Sequence, residues 1–316
     1  MSRKALTIVT PVFNEEEVIA QFYERVSAVM TSLQESYETK LLFVLDRSTD
    51  RTLSILRDIA ARDPRVQVLV LSSRFGHQMS LLAGIDHSRD ADLIVMMDSD
   101  LQHPPEIIPR LLEQNARGND VVYTIRQSTE DTGVVRKAAG SVFYRLLSYL
   151  SRVPISENAA DFRLISGRVA SLMRQEIRER NMFLRGIFSW IGFNQASVEY
   201  VAARRVAGRS KYSLSRMVGL ATAAILSFST RPLQMSIFVG LAFAALSVAL
   251  VVFTVVAYFV DSSIPSGWTT IVTLLLLFSG VQLIVMGILG VYIGGIYEEV
   301  KARPHYIVDE MINIPR

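Results

Sequence analysis

The sequence predicts an α/β protein with a mostly parallel sheet, followed by amphipathic helices and a hairpin of two membrane-spanning helices. In the first half of the chain, short β-branched apolar runs alternate with amphipathic helical segments, as in strands joined by crossover helices. Near the C-terminus, two uncharged apolar stretches are each long enough to cross a bilayer. A chain of 316 residues has room for one large domain and this additional membrane element.

The alternation in the N-terminal half is regular. Strands are predicted at Ala5–Val12, Lys40–Leu45, Val66–Leu71 and Asp92–Met97. Helices are predicted between them at Glu15–Leu33, Thr52–Ala61 and Gln78–His87. This order predicts parallel strands with helices on both faces, and ligands of such sheets bind beyond the carboxyl ends of the strands. From about Gly140 to Arg231 the pattern becomes helical and amphipathic, which fits a membrane surface and packing on a sheet edge equally well.

Two apolar spans follow at Ile237–Val260 and Ile271–Ile293, with 24 and 23 residues. Each covers roughly 35 Å, which is enough for a hydrocarbon core. Cations flank the pair at Arg231, Lys301 and Arg303, while the connecting loop has none, so both ends are expected in the cytoplasm. Two buried core helices are the alternative. The N-terminal apolar run is too short for a signal peptide, so the first domain is expected to stay where it is made.

Composition and charge narrow the function classes. The absence of cysteine excludes a disulfide framework and thiolate metal sites. Net charge is only +3, but six basic residues and no acid lie between Tyr200 and Arg231. A basic run beside membrane spans favours anionic lipid heads or phosphates over nucleic acid. Within it, residues 205–212 place arginines and a lysine around a glycine, which suits phosphate oxygens or, alternatively, a solvated juxtamembrane stretch.

Carboxylates follow the predicted strands at the edge where ligands bind. Asp98 and Asp100 end a buried strand two residues apart, so both can point into one cleft. Carboxylates suit Mg²⁺ or Mn²⁺, which would clamp a diphosphate; a turn or helix cap is the alternative. Asp46 ends another strand and can bind a ribose or base, or form an Asx-turn. Asn14 and Glu15 follow the first strand, where an acid also favours a helix N-terminus.

Five motifs together resemble glycosyltransferase family 2, and within it the polyprenyl-phosphate glycosyltransferases such as dolichol-phosphate mannose synthase and the bactoprenol glucosyltransferases. They are Pro11-Val-Phe-Asn-Glu-Glu16, Val44-Leu-Asp-Arg-Ser-Thr-Asp50, Asp98-Ser-Asp-Leu-Gln-His-Pro-Pro105, Asp161-Phe-Arg-Leu164 and Arg205-x-x-Gly-x-Ser-Lys-Tyr212. The likeness continues through Ser227–Leu233 and Tyr292–Lys301, so it covers nearly the whole chain. The two-span tail is similar to the bactoprenol branch.

The resemblance implies a GT-A type, Rossmann-like sheet and assigns roles to residues. The nucleotide-sugar site would comprise Pro11, Phe13, Glu15, Val44, Asp46, Asp98 and Arg126, the last near the donor sugar. The metal and diphosphate would be held by Asp98, Asp100 and Gln102. Catalysis would involve Asp100, Arg205, Lys211 and Asp161, the last near the reacting centre. The acceptor phosphate would be bound by Arg205, Ser210 and Lys211.

The implied reaction is inverting, metal-dependent transfer of a hexose from a nucleotide diphosphate sugar to polyprenyl (undecaprenyl) phosphate at the cytoplasmic face of the inner membrane. UDP-glucose is the first expectation for the donor, while N-acetylglucosamine, galactose and mannose stay open, as does a homo-oligomer. The expected segments are a nucleotide-sugar-binding domain (1–160), an acceptor and juxtamembrane helical region (161–232), two membrane helices (233–297) and a cytoplasmic tail (298–316).

Two rival functions and three departures from the family pattern accompany this interpretation. A processive polysaccharide synthase would carry Gln-x-x-Arg-Trp, which neither tryptophan of this chain completes. A catalytically silent membrane scaffold is the rival from another class. Arg47 stands where the family commonly has Gly, and Arg74-Phe-Gly76 is shorter than the usual Arg-Asn-Phe-Gly. These two departures are expected to change the geometry of the loop on the donor side of the site. Val291 and Gly295 stand where an acidic residue and an arginine are common. This departure is expected to affect the helix that leaves the membrane or the contacts in an oligomer.

Overall fold

A computed structural model describes residues 3–127, 159–180, 182–201, 231–260 and 267–315. Its strands are β1 Lys4–Val12, β2 Tyr37–Leu45, β3 Val66–Leu71, β4 Leu93–Met96, β5 Val121–Gln127, β6 Ala159–Ser166, β7 Gln195–Val201 and β8 Val308–Ile312. Within the described residues they form one sheet in the order β7-β5-β6-β4-β1-β2-β3-β8. Only β6 and β8 run against the other strands, so the predicted mostly parallel GT-A sheet is confirmed.

Helices cover both faces of this sheet. In the described part of the chain, six helices do so: α1 Ile19–Leu33, α2 Thr52–Arg62, α3 His77–His87, α4 Ile108–Ala116, α5 Gly167–Gln175 and α6 Leu184–Trp190. Two long helices, α7 Arg231–Val260 and α8 Trp268–Val300, follow and do not pack on the sheet in this way. Helices α1, α2 and α4 share one apolar core with the strands, while α3, α5 and α6 share the other. The two-sided burial explains why the central strands read as continuous apolar runs in the sequence.

Helix α3 lies unusually close to the central strand β1. A Cβ atom at Gly84 would collide with the side chain of Val9, so only glycine permits this approach. Both residues belong to the middle of their elements, and the contact fixes the height of α3 on the sheet. The first turn of α3 therefore stands at the carboxyl ends of the strands, where the candidate site lies.

The sheet does not end at residue 160, where the sequence analysis divided the chain. Strand β6 crosses that position and pairs with β4 and β5. Strand β7 then lies beside β5, so the segment expected to be helical up to residue 232 contributes strands as well as α5 and α6. β7 is an edge strand in which buried and exposed residues alternate only near its end. Such a short alternation is hard to recognise between segments that have helical periodicity.

The C-terminal segment, expected to be a cytoplasmic tail, returns to the sheet. Strand β8 pairs antiparallel with β3, and Glu310 forms an ion pair of 2.6 Å with Arg57 of α2. The Asn313 amide donates to the carbonyls of Ala60 and Val66 at 2.8 and 2.9 Å. These contacts close the β3 edge, which would otherwise expose unpaired main-chain groups.

Helices α7 and α8 contain the two predicted spans. Their most apolar windows, Leu233–Leu250 and Leu277–Val300, have mean hydropathies of 2.1 and 1.9, and no part of either is buried inside the protein. The alternative of two buried core helices is therefore wrong. The helices contact each other, as at Phe243 and Phe278, whose ring centroids lie 5.6 Å apart. Both helices are long and apolar enough to cross a membrane.

Candidate active site

A cleft of about 300 Å³ opens at the carboxyl ends of β1, β2 and β4, beside the start of α3. Residues that follow separate parallel strands meet there, because the carboxyl ends of those strands share one edge of the sheet. Its wall contains six residues that the sequence analysis assigned to the site: Pro11, Phe13, Glu15, Asp46, Asp98 and Asp100.

The chain turns sharply after β4 and presents two carboxylates. Leu101 has a left-handed backbone with φ of +62°, and its side chain is almost fully buried. Burial of the apolar side chain offsets part of the strain of that conformation. The Gln102 N–H donates to Asp100 Oδ1 at 3.1 Å and closes the turn around this carboxylate. Gln102 itself, expected as a ligand of the metal and diphosphate, lies outside the cleft wall.

Asp98 is held between two histidines that the sequence analysis did not select. His77 Nε2 lies 2.7 Å from Asp98 Oδ1, and the Asp98 N–H donates to His103 Nδ1 at 3.1 Å. Burial alone would raise the pKa of Asp98, but the charges of His77 and His103 outweigh it and hold that pKa well below its usual range. Desolvation opposes a charged His77, yet Asp98 raises the pKa of His77 to about 9. Near neutral pH, His77 and Asp98 form an ion pair.

A cluster of aromatic side chains packs around His103, which accepts the hydrogen bond from the Asp98 N–H. The His103 ring stacks on Phe162 with centroids 5.4 Å apart and meets the edge of Tyr200 at 6.0 Å. Desolvation raises the pKa of Tyr200 to about 12, while Arg126 acts to lower it. Arg126 stands opposite Tyr200 in the β5–β7 register. The predicted donor-sugar residue Arg126 therefore lies beside this aromatic cluster and outside the cleft wall.

Asp161 is bound by two guanidinium groups. Its Oδ2 lies 3.0 Å from an Nη atom of Arg185, its Oδ1 lies 3.3 Å from Arg185 Nε, and Arg163 approaches Oδ1 to 3.6 Å. Burial would raise the pKa of Asp161, but Arg185, His77 and Arg163 lower it overall. Arg163 is almost fully buried, with its guanidinium over the ring of Phe188. Asp161 is thus a fixed anion, which suits orientation better than proton abstraction.

The second strand ends in a carboxylate that holds a neighbouring loop. Asp46 accepts hydrogen bonds from the N–H groups of Phe75 and Gly76 at 2.7 and 2.9 Å. Gly76 has φ of +90° and ψ of 167°, a conformation that side chains oppose. Arg47 donates to the carbonyl of Ser72 at 2.8 Å. Two departures from the family pattern, Arg47 and the short 74–76 segment, therefore meet in one loop that Asp46 and Arg47 brace.

A flat wall lies on the side of the first strand. The Arg74 guanidinium carbon lies 4.1 Å from the centroid of the Phe13 ring, a cation–π contact. Both residues line the cleft together with Glu15. A planar base can stack on such a surface, which fits the expectation that this side of the cleft receives the nucleotide.

The remaining predicted residues lie elsewhere. Val44 is fully buried among the residues that pack under α3, so its side chain does not reach the cleft. Arg205, Ser210 and Lys211 lie outside the described residues. Of the nucleotide and metal candidates, the structure brings six together in one cleft, and three lie outside its wall: Val44, Gln102 and Arg126. The roles of all of them, and the acceptor-phosphate site, stay predictions.

The cleft fits a divalent metal that shares its ligands with a diphosphate. Asp98 and Asp100 face one cavity, and carboxylates are the ligands that Mg²⁺ and Mn²⁺ prefer. Among the described residues, no group of three or more His, Asp or Glu side chains is arranged to hold a metal alone. Mg²⁺ commonly binds one or two carboxylates and completes its shell with phosphate oxygens and water, so two carboxylates suffice.

A larger cavity, of about 700 Å³, opens at the amino ends of the strands. Its wall includes Asp86, which accepts from the Tyr306 hydroxyl at 2.8 Å and pairs with Arg178 at 2.8 Å. Lysine, arginine, aspartate and glutamate side chains are mixed along it, so no single charge dominates. This cavity lies at the opposite edge from Asp98 and does not contribute to the candidate site.

Comparison with known proteins identifies relatives over nearly the whole length of the chain. The family model described as glycosyl transferase family 2 matches residues 7–171. The uncharacterized glycosyltransferase YkcC of Bacillus subtilis is 40% identical over 98% of this chain and 94% of its own. The SfII prophage-derived bactoprenol glucosyl transferase of Shigella flexneri is 39% identical over 96% of this chain and 97% of its own.

Among solved structures, glucosyl-3-phosphoglycerate synthase from Mycobacterium tuberculosis, in complex with Mn²⁺, UDP-glucose and phosphoglyceric acid, superposes with a TM-score of 0.44. It is 18% identical, and the match covers 71% of this chain and 78% of that one.

Proposed function

The chain belongs to glycosyl transferase family 2, and from that premise we propose that it transfers a hexose from a nucleoside diphosphate to a polyprenyl phosphate at the cytoplasmic membrane face. The observation that carries the proposal is the convergence of Asp46, Asp98 and Asp100 on one cleft at the carboxyl ends of β2 and β4. Relatives named bactoprenol glucosyl transferase, aligned over nearly the full chain, support a polyprenyl acceptor. The same names favour glucose, with UDP-glucose as the first donor to test.

In this proposal Asp98 and Asp100 would hold Mg²⁺ or Mn²⁺ in the cleft that receives the donor diphosphate. The bound ion would neutralise the charge that develops on the departing nucleoside diphosphate. Phe13 and Arg74 offer the stacking wall for the base, and Asp46 keeps the adjoining loop closed. An acceptor phosphate oxygen forms the bond to the anomeric carbon as the bond to the diphosphate breaks, and this single displacement inverts the configuration.

The state of Asp161 agrees with a phosphate nucleophile. A phosphate monoester has a second pKa of about 6, so it is largely dianionic near neutral pH and needs no strong base. Asp161 is bound by Arg185 and Arg163, which stabilise its anionic form. We assign Asp161 the role of orienting the sugar or acceptor, with Arg185 as the residue that fixes its carboxylate.

The positions at which the chain leaves the sheet towards α7 and returns to it from α8 support the proposal that the cleft faces the bilayer. The chain leaves the sheet after Val201, which pairs with the carboxyl-terminal residue of β5. It returns from α8 to a hydrogen bond between the Ser72 N–H and the Ile307 carbonyl, just beyond the carboxyl end of β3. Near the end of α8, Glu299 accepts from the Arg180 N–H at 2.8 Å. Both connections reach the edge of the sheet that carries the cleft.

A polyprenyl tail cannot leave the bilayer cheaply, because each exposed CH₂ costs about 0.8 kcal/mol. Its phosphate therefore has to meet the donor at the interface. We propose that Arg205, Ser210 and Lys211, shortly before α7, bind that phosphate. Since the chain has no native cysteine, impermeant labelling of Ser263→Cys from outside, and protection of Ser2→Cys, tests the proposed orientation.

The decisive experiment measures transfer of radiolabelled glucose from UDP-glucose to undecaprenyl phosphate by the full-length protein in nanodiscs. Wild type is expected to transfer only with Mg²⁺ or Mn²⁺, and Asp100→Ala is expected to be inactive. Asp58→Ala, an exposed aspartate of α2, is the matched control and should retain activity. Full activity of Asp100→Ala, or of wild type in chelator, would refute the metal site, and transfer only from another nucleotide sugar would correct the donor.

A further inference from the structure

The imidazole of His77 is hydrogen-bonded to Asp98, one of the two carboxylates that the proposed function assigns to the metal ion. His77 is the first residue of α3 and lines the same cleft as Asp98 and Asp100. Its Nε2 lies 2.7 Å from Asp98 Oδ1, and 40% of its side-chain surface is exposed. It is therefore held by one carboxylate and still accessible to a ligand.

The two basic side chains of the cleft wall make different contacts. Among the described residues that form its wall, the basic side chains are Arg74 and His77. Arg74 lies over the Phe13 ring, on the side where a base would stack. Of these two, His77 is the one that contacts a carboxylate of the candidate metal site, Asp98.

We infer that His77 exchanges hydrogen-bond partners during the catalytic cycle: it holds Asp98 when the cleft is empty and donates to a diphosphate oxygen of the bound donor. This inference rests on the proposed function, because it takes a metal-bound nucleoside diphosphate as the ligand. His77 has to release Asp98 when that carboxylate binds a metal ion. A donor diphosphate bound in the same cleft would then be the anion available to His77.

The backbone around His77 is suited to this exchange. Gly76 donates its N–H to Asp46, and Gly84 locks α3 against β1, so the helix stays in place while the imidazole rotates. The amino end of a helix of eleven residues also favours an anion at this position. The exchange therefore requires rotation of one side chain and no movement of the fold.

The exchange predicts effects of opposite sign on two binding constants. In His77→Ala, Asp98 is no longer occupied, so Mn²⁺ should bind the nucleotide-free protein about threefold to tenfold more tightly. The same variant lacks the donor to the diphosphate, so UDP should bind in saturating Mn²⁺ about tenfold more weakly. His77→Lys, which keeps a flexible N–H donor, should recover part of the UDP affinity. Mn²⁺ binding is followed by EPR titration and UDP binding by calorimetry.

His87→Ala is the matched control, because His87 ends the same helix and contacts the Ala83 carbonyl far from the cleft. It should leave both constants unchanged. If His77→Ala weakens Mn²⁺ and UDP binding together, His77 is a metal ligand or a structural residue, and the exchange is overturned. Unchanged constants overturn it as well. If wild type binds Mn²⁺ but neither UDP nor GDP, the proposed function fails first and the exchange fails with it.

Discussion

Asp46→Asn is expected to release the loop that forms one side of the cleft. Asp46 is almost fully buried and accepts from Phe75 at 2.7 Å with one oxygen and from Gly76 at 2.9 Å with the other. Asparagine keeps one acceptor oxygen and turns an NH₂ group toward the second main-chain donor. The loop residues Arg74 and His77 then lose the support that holds them against the cleft.

The size of the effect follows from these two bonds. A hydrogen bond to a charged group contributes about 1.5–3 kcal/mol, so one lost bond and one opposed donor destabilise the protein by about 2–3 kcal/mol. For a domain of this size the expected fall in Tm is roughly 5–10 °C. Affinity for UDP in saturating Mn²⁺ should fall about tenfold or more, because the loop forms part of the binding wall. Thermal scanning and calorimetry of the protein in nanodiscs measure both.

Asp50→Asn provides a matched control. Asp50 also accepts one main-chain N–H on each oxygen, from Thr52 at 3.1 Å and Glu16 at 3.2 Å, but it lies outside the cleft wall. It should lower Tm and leave UDP affinity unchanged. Equal loss of UDP affinity in both variants would show that general destabilisation, and not the loop, explains the result. Wild-type affinity in Asp46→Asn would refute the link between this carboxylate and the cleft.

Three further predictions concern the backbone, the C-terminal strand and acid stability. Gly76 and Gly118 have φ of +90° and +94° with free space around a Cβ, so alanine at either should cost about 1–3 kcal/mol through backbone strain. Only Gly76→Ala should also weaken UDP binding, and equal binding by both would contradict a role of this turn in the cleft. Tyr306→Phe removes the hydrogen bond to Asp86, so amide exchange in β8 should accelerate about fivefold to tenfold; unchanged exchange would mean that pairing with β3 alone holds β8. Hydrogen bonds from a neighbouring arginine lower the pKa of Asp63. Its stabilisation is complete above the unfolded pKa of about 3.9 and is lost as pH falls through the lower folded value. Asp63→Asn should flatten that acid limb in a pH series of Tm, and an unaltered limb would assign it to other carboxylates.

The strands, the side chains that follow them and the membrane spans could be predicted from the sequence, because each depends on residues that are close together in the chain. The apolar runs before Pro11, Asp46 and Asp98 form adjacent parallel strands, and their terminal side chains meet in one cleft. The long apolar spans form exposed helices, since their length and composition alone decide that outcome. These features depend on residues close together in the sequence.

The features that were missed depend on distant partners. The segment Val308–Ile312 is short and half polar, and it becomes a strand only because β3, more than two hundred residues earlier, offers an open edge. His77 was placed before the predicted helix, and nothing in the sequence shows that its ring reaches Asp98. Arg185 was interpreted within an amphipathic segment, yet its guanidinium binds Asp161, which lies 24 positions earlier. Pattern analysis detects periodicity but not which side chains meet across a fold.

Helix α3 connects the two ends of the domain that matter for function. Its first residue, His77, faces the cleft, and Asp86, about 14 Å along the helix, binds the Tyr306 hydroxyl of the C-terminal segment. Because Gly84 seats α3 directly on Val9, the helix cannot slide without a collision in the core. Strain from the membrane side is therefore expected to loosen the segment after α8 before it moves His77. The C-terminal strand β8 holds the chain that follows α8 against β3, while the contact of α3 with β1 holds the start of α3 at the cleft.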